Sequence, residues 1–288
     1  MPFQRLWRVT RRAANAWVDD HAQSMGAALS YYTVFSLAPL LLIAISVAGL
    51  VFGQEAARTA IGEQLRQLMG SPGAEAVEQL LQHASKPSEG IAGMVVGALV
   101  LVVGATSVFA ELQEDLNRIW QAPAREKAAG WWVWLRTRIL SLGFILAIGF
   151  LMVVSLAASA AFDAFAAWSS SLVGAEETLA HAVNFVVGFA LTAVLFGMIY
   201  RYMPQTRLAW RDVALGAVVT AALFALGKFA IGLYIGKSAL ASGFGAAGSL
   251  AVLLAWVYYS AQIFLFGAEF TWAHAREDDE EAPRESMP

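Results

Sequence analysis

Residues 28–52 read ALSYYTVFSLAPLLLIAISVAGLVF, 25 positions without a single charge. The hydrocarbon core of a bilayer is about 30 Å thick, and about 20 apolar helical residues cross it. The run exceeds that length, and it is too long for the core of a signal peptide and lacks a small-residue cleavage site behind it. Five comparable runs follow, at 91–110, 139–162, 182–203, 211–236 and 246–270. Backbone polar groups in lipid are satisfied only within helices or closed barrels. These runs, rich in Ala, Leu and Gly, do not alternate as barrel strands do. The expected fold class is all-α, a polytopic membrane protein of six transmembrane helices. A basic amphipathic arm over 1–27 precedes the membrane domain at 28–272, and an acidic tail over 273–288 is expected to be disordered.

Composition agrees. Hydrophobic residues make up 58% of the chain and charged residues 14%, against about 25% charged in soluble domains. Such sparse charge leaves no polar skin for a water-soluble core, and no extramembrane segment is large enough for a conventional enzyme. A net charge of −3 gives no basic surface for nucleic acid. The absence of cysteine excludes disulfides, thiolate metal sites and cysteine nucleophiles.

Lysine and arginine set the orientation. Arg5, Arg8, Arg11 and Arg12 of the arm, five basic residues in 111–138, Arg201, Arg207 and Arg211, and Arg276 and Arg284 of the tail make fourteen on one side. Arg58, Arg66, Lys86 and Lys237 make four on the other. Both termini are therefore expected in the cytoplasm. In the arm, Phe3, Leu6, Trp7, Thr10, Ala14 and Trp17 share one helical face, which suits either a helix lying on an anionic leaflet or a simple topology signal. The outer loop 53–90 reads as two short amphipathic helices joined at Gly70-Ser71-Pro72-Gly73. Capping of the bundle is the favoured role for them.

Ionisable groups inside spans are candidates for function because they are costly there. Lys228 lies about 22 Å into the fifth span and about 12 Å from its outer end. It either snorkels outward or faces the bundle, where Asp163, Trp256 and Tyr258 are candidate neighbours. The stretch Ser242–Ser249, with Gly243, Gly245 and Gly248, opens the sixth span; with Lys237 nearby it reads either as an anion site at a helix N-terminus or as a tight turn with close packing. Pro39 interrupts hydrogen bonding in the first span, with Ser36, Tyr31 and Tyr32 below it; gate and static bend are both open readings. Glu269 falls near the inner interface, where Arg201 or Arg211 is its expected partner; structural anchoring is the favoured reading and proton coupling the other. No catalytic constellation, cofactor motif or metal-ligand cluster is expected, and the four histidines are isolated.

Several blocks resemble the BrkB/YihY family of bacterial inner-membrane proteins, once labelled ribonuclease BN. They are Ala27–Leu40; Asn117-Arg118-Ile119-Trp120; and the C-terminal series Lys228, Tyr234, Gly248-Ser249, Leu254–Ser260 and Gly267-Ala268-Glu269. The resemblance implies a six-helix protein of the bacterial inner membrane with a role in the cell envelope. It implies no substrate, and the ribonuclease label finds no cluster of metal ligands to support it. The leading expectation is a transporter or flippase of an anionic amphiphile or lipid precursor. Lys228, Asp163, Trp256, Tyr258 and the 243–248 segment would form its outer half. The alternative is a non-transporting envelope scaffold with protein partners; a membrane hydrolase is a distant third. Membrane lipids are expected partners, and Asn117 and Arg118, with Glu269, are expected to be structural on the inner side.

Overall fold

Long uncharged runs become long helices. The computed structural model describes residues 2–84, 90–122, 143, 176–206, 208–237 and 248–281. Regular structure among them is helical: α1 Pro2–Asp19, α2 Ala22–Phe52, α3 Gln54–Ala84, α4 Gly90–Ile119, α5 Glu176–Tyr202, α6 Trp210–Lys237 and α7 Gly248–Glu281. Among the described residues, four segments are long and apolar enough to cross a membrane: Ala22–Leu50, Phe185–Tyr202, Trp210–Ile231 and Leu250–Glu277. The expected span at 139–162 lies outside the described residues, apart from Gly143, which is helical.

The chain divides into two compact units, one of residues 1–34, 107–129 and 196–288, the other of 35–106 and 130–195. In the second unit α2 runs unbroken through Pro39. A side chain on Gly104 of α4 would come 3.2 Å from the proline ring, so the glycine makes room for the ring. The segment expected as the outer loop forms α3, broken at Gly70 by a left-handed φ of 74°, which glycine adopts without a steric penalty. Ile61, Leu65 and Met69 before the break, and Val77 and Leu81 after it, are buried. Helical spacing thus places both apolar faces inside the unit.

In the first unit α1 packs along α7. Val9 and Ala13 are buried against Phe270 and Ala273, with Val219, Phe266 and Trp272 around them. That is a different face from the one marked by Leu6 and Trp7, which stay exposed. The tail also departs from expectation, because α7 continues as helix to Glu281 instead of becoming disordered at 273. The extension has partners: Arg8 Nε donates to Glu277 at 2.8 Å, and Arg276 stacks on Trp272 at 4.9 Å.

α6 and α7 meet through a reciprocal pair of glycines and threonines. Gly216 of α6 backs onto Thr271 of α7, and Gly267 of α7 backs onto Thr220 of α6, so that a side chain at either glycine would overlap the opposite threonine. Each threonine hydroxyl bonds the carbonyl of the glycine four residues earlier, Thr220 to Gly216 and Thr271 to Gly267, both at 2.7 Å. Small residues and such local bonds let two helices approach closely in lipid, where no hydrophobic effect drives them together. Tyr200 of α5 closes the knot: its hydroxyl donates to the Phe264 carbonyl at 2.7 Å and lies 3.2 Å from Thr220 Oγ1.

Candidate functional site

Lys228 stands at a second close approach of α6 and α7, nearer the far end of α6. Gly227 backs onto Ile263 and Tyr259, leaving no room for a side chain. Ile231 and Val252 are buried together with Trp256 and Tyr259 against them, and Phe224 meets Trp256 edge-on at 6.3 Å. Lys228 shares the α6 face of Phe224 and Ile231, four residues after one and three before the other. It is half-buried, whereas Leu226 and Phe229 on either side are exposed. Among the described residues it has no ion-pair partner.

Of the other residues expected around Lys228, Tyr258 is exposed, and Trp256 is packed with its Nε1 buried and without a partner. Gly248 is buried at the start of α7. Asp163, Gly243 and Gly245 lie outside the described residues, as does the side chain of Lys237. The proposed outer anion site is therefore described only along its α6–α7 wall. Along α2, Ser36 is fully buried, while Tyr31 and Tyr32 are exposed and meet edge-on at 5.6 Å.

At the other end of the first unit, α4 continues nine residues past the expected span and stops in a Schellman turn. Ala122 N–H bonds the Asn117 carbonyl at 2.8 Å and Gln121 N–H bonds the Arg118 carbonyl at 3.0 Å, with Gln121 left-handed at φ 50°. Asn117 serves twice, since its Oδ1 accepts from Gln205 N–H at 2.8 Å. Gln113 donates to the Met203 carbonyl at 2.7 Å. Together they pin the 203–206 connection. Trp120 packs edge-on against Tyr200 at 5.9 Å.

Of the buried acids among the described residues, Asp115 and Glu269 have carboxylate oxygens without a hydrogen-bond partner. Asp115 is 5% exposed, and its Oδ2 has no partner. Burial pushes its carboxyl up to about 7, Glu111 adds to the rise and Arg118 opposes it. A folded-state value above the ordinary one means that the folded protein holds a proton that the unfolded chain releases. Stability should therefore fall as pH rises from about 4 to about 7. Asp115→Asn removes this loss. Its thermal midpoint should match the wild type near pH 4 and exceed it by about 3 °C above pH 8, as followed by circular dichroism in detergent. Equal midpoints at both pH values would refute the assignment.

Glu269 is wholly buried, at 0% exposure, and neither of its oxygens has a hydrogen-bond donor. The expected pairing with Arg201 is not made; that guanidinium lies over Trp210 at 5.7 Å. The charged group acting on Glu269 is instead Asp20, within hydrogen-bonding reach. Sequence reading missed Asp20, Tyr200 and the glycine–threonine pairs. The last had a signal in the repeated Gly-x-x-x-Thr spacing of 216–220 and 267–271.

Residues 13–288 match the family described as Virulence factor BrkB. The chain is 29% identical over 267 residues to a UPF0761 membrane protein of Pseudomonas aeruginosa, covering 90% of this chain and 60% of the relative. It is 30% identical over 265 residues to one of Alkalilimnicola ehrlichii, covering 89% and 56%. A third, from Ralstonia nicotianae, is 27% identical over 274 residues, covering 92% and 58%. The chain thus spans less than two thirds of the length of these relatives. No solved structure matches it.

Proposed function

We propose that this chain, which belongs to the Virulence factor BrkB family, moves an anionic lipid-like amphiphile across the bacterial inner membrane. The observation that carries the reading is Lys228. A cation half-buried in an apolar helix seam, with no anion beside it among the described residues, is costly in lipid. A ligand with an anionic head and an apolar body supplies the missing charge and keeps the seam dry. Phe224 and Trp256 offer such a body an aromatic wall, and Leu226 and Phe229 face outward where acyl chains would lie.

The reading includes six spans with both termini in the cytoplasm. The fourteen-to-four distribution of lysine and arginine supports that orientation, and the inner membrane follows from it. It also makes membrane lipids the partners and treats the chain as non-enzymatic. The scaffold alternative is weaker, because the apolar faces of α3, its best candidate for a partner surface, are buried within the protein's own second unit.

The test uses purified full-length chain in phosphatidylcholine vesicles with a trace of fluorescent phosphatidylglycerol. A membrane-impermeant reductant bleaches only probe that reaches the outer leaflet. Wild-type vesicles should bleach beyond the outer-leaflet fraction, Lys228→Ala vesicles should return to the protein-free level, and Lys228→Arg should retain most of the activity. Wild-type behaviour in Lys228→Ala, or equal movement of a zwitterionic probe, would overturn the proposal.

A further inference from the structure

An ionised carboxylate only accepts hydrogen bonds. Two ionised carboxylates in contact therefore repel one another and cannot bond. Glu269 and Asp20 are in that position. Glu269 is wholly buried in α7 with both oxygens unbonded, and Asp20, in the turn between α1 and α2, is within hydrogen-bonding reach of it. An uncompensated buried charge costs several kcal/mol even after relaxation. One proton between the two groups removes both the charge on Glu269 and the missing bond.

We propose that Glu269 and Asp20 form a proton-binding site in which Glu269 holds the proton and donates it to the Asp20 carboxylate, fastening the α1–α2 turn to α7. This site is separate from Lys228 and does not depend on the transport reading.

The turn is built to hold Asp20 in place. His21 takes a left-handed φ of 60°, which is uncommon outside glycine. Its ring Nδ1 lies 2.7 Å from the Asp19 carbonyl, and its own carbonyl caps α2 by accepting from Ser24 N–H at 2.8 Å. On one side α1 is docked through Val9 and Ala13; on the other α2 begins with Ala22 fully buried. Asp20 thus has little freedom to swing away. Its partial exposure gives the shared proton a way to water.

The remaining charged groups of this end are engaged elsewhere. From α1, Arg8 pairs with Glu277 of α7 at 2.8 Å, Arg12 lies over Trp272, and Arg5 acts on His274 together with Arg211 and Asp212 of α6. Arg276 of α7 donates to Gln121 at 2.7 Å. From α4, Glu111 and Arg118 act on Asp115. Asp19 and Arg11 point to solvent. A metal ion is the less suitable occupant, because hard cations need about six to eight oxygens. Among the described residues no group of three or more ligating side chains assembles. Gln262, whose Oε1 is buried without a partner, is two helical turns away along α7 and about 10 Å displaced.

A hydrophobic carbodiimide reads the proton directly, because it modifies a buried carboxyl only in its protonated form. The full chain in detergent is treated at about pH 6 and about pH 10, and the adduct is located by mass spectrometry of peptides. Labelling of Glu269 at the lower pH should exceed that at the higher by about ten-fold or more, with Glu269→Gln unlabelled at that position. In Asp20→Asn the amide donates to an ionised Glu269, so labelling at the lower pH should fall several-fold. Size-exclusion profiles establish that both variants are folded. An unlabelled Glu269 in the folded wild type would overturn the proposal. So would labelling unchanged by Asp20→Asn, or labelling that emerges only when Na⁺ or Mg²⁺ is removed.

Discussion

Gly267→Leu should abolish the folded protein. A side chain at this position would overlap Thr220 Oγ1 and the Tyr200 hydroxyl, where three helices converge on buried atoms. Overpacking a close-packed site costs about 1–3 kcal/mol and more where neighbours cannot yield. Here they are fixed by bonds to the Gly216 and Phe264 carbonyls. The helices would have to separate, breaking those bonds in a medium that offers no replacement. We expect detergent extracts of the variant to contain aggregate with little or no monodisperse peak. Gly188→Leu, at a helical glycine with nothing within 4 Å, should elute like the wild type. Removing the obstacle should restore part of the loss, so Gly267→Ala should be partly rescued by Thr220→Gly. A monodisperse Gly267→Leu protein would show that α6 and α7 do not meet as described.

Val9→Asp should release α1 from α7. Val9 is 1% exposed at the centre of the contact with Phe270 and Ala273, and an unpaired carboxylate there costs several kcal/mol. The membrane helices retain their own hydrogen bonds and should survive. The expected result is thus a folded membrane domain with a detached arm. Trypsin makes the measurement, since Arg5, Arg8, Arg11 and Arg12 all lie on α1. Cleavage within the arm should accelerate by about 100-fold, the factor that corresponds to a loss of about 3 kcal/mol of docking energy when opening and reclosing are fast relative to cleavage. Trp7→Ala, at 64% exposure, should leave the cleavage rate unchanged. Equal protection of Val9→Asp and wild type would mean that α1 is held by its arginines alone.

These two positions also show where sequence reading stops. Runs 28–52 and 211–236 are recognisable as membrane helices because length and apolarity are properties of each segment alone. The two halves of α3 are legible for the same reason, with glycine marking the break at Gly70. The arm was amphipathic on inspection, yet its contact with α7 uses Val9 and Ala13, not the richer face of Leu6 and Trp7. The larger apolar residues dominate any periodicity, whereas a close helix contact selects small ones. Lys228 was visible as an ionisable residue within a span. Its place between Phe224 and Ile231, beside the Gly227 approach, was not.

What the sequence determined by itself was the solvent of this protein and the form its backbone must take there. Lipid offers no hydrogen bonds, so each long apolar run has to satisfy its own peptide groups as a helix, whatever the rest of the chain does. Only the tertiary structure decided which surfaces meet: Thr220 over Gly267, Val9 on Phe270, and Asp20 against Glu269 in place of an arginine. Such contacts join residues up to 261 positions apart (Val9 and Phe270). They depend on ångström-scale fit and on which polar groups are left to satisfy one another, and no single segment carries that information.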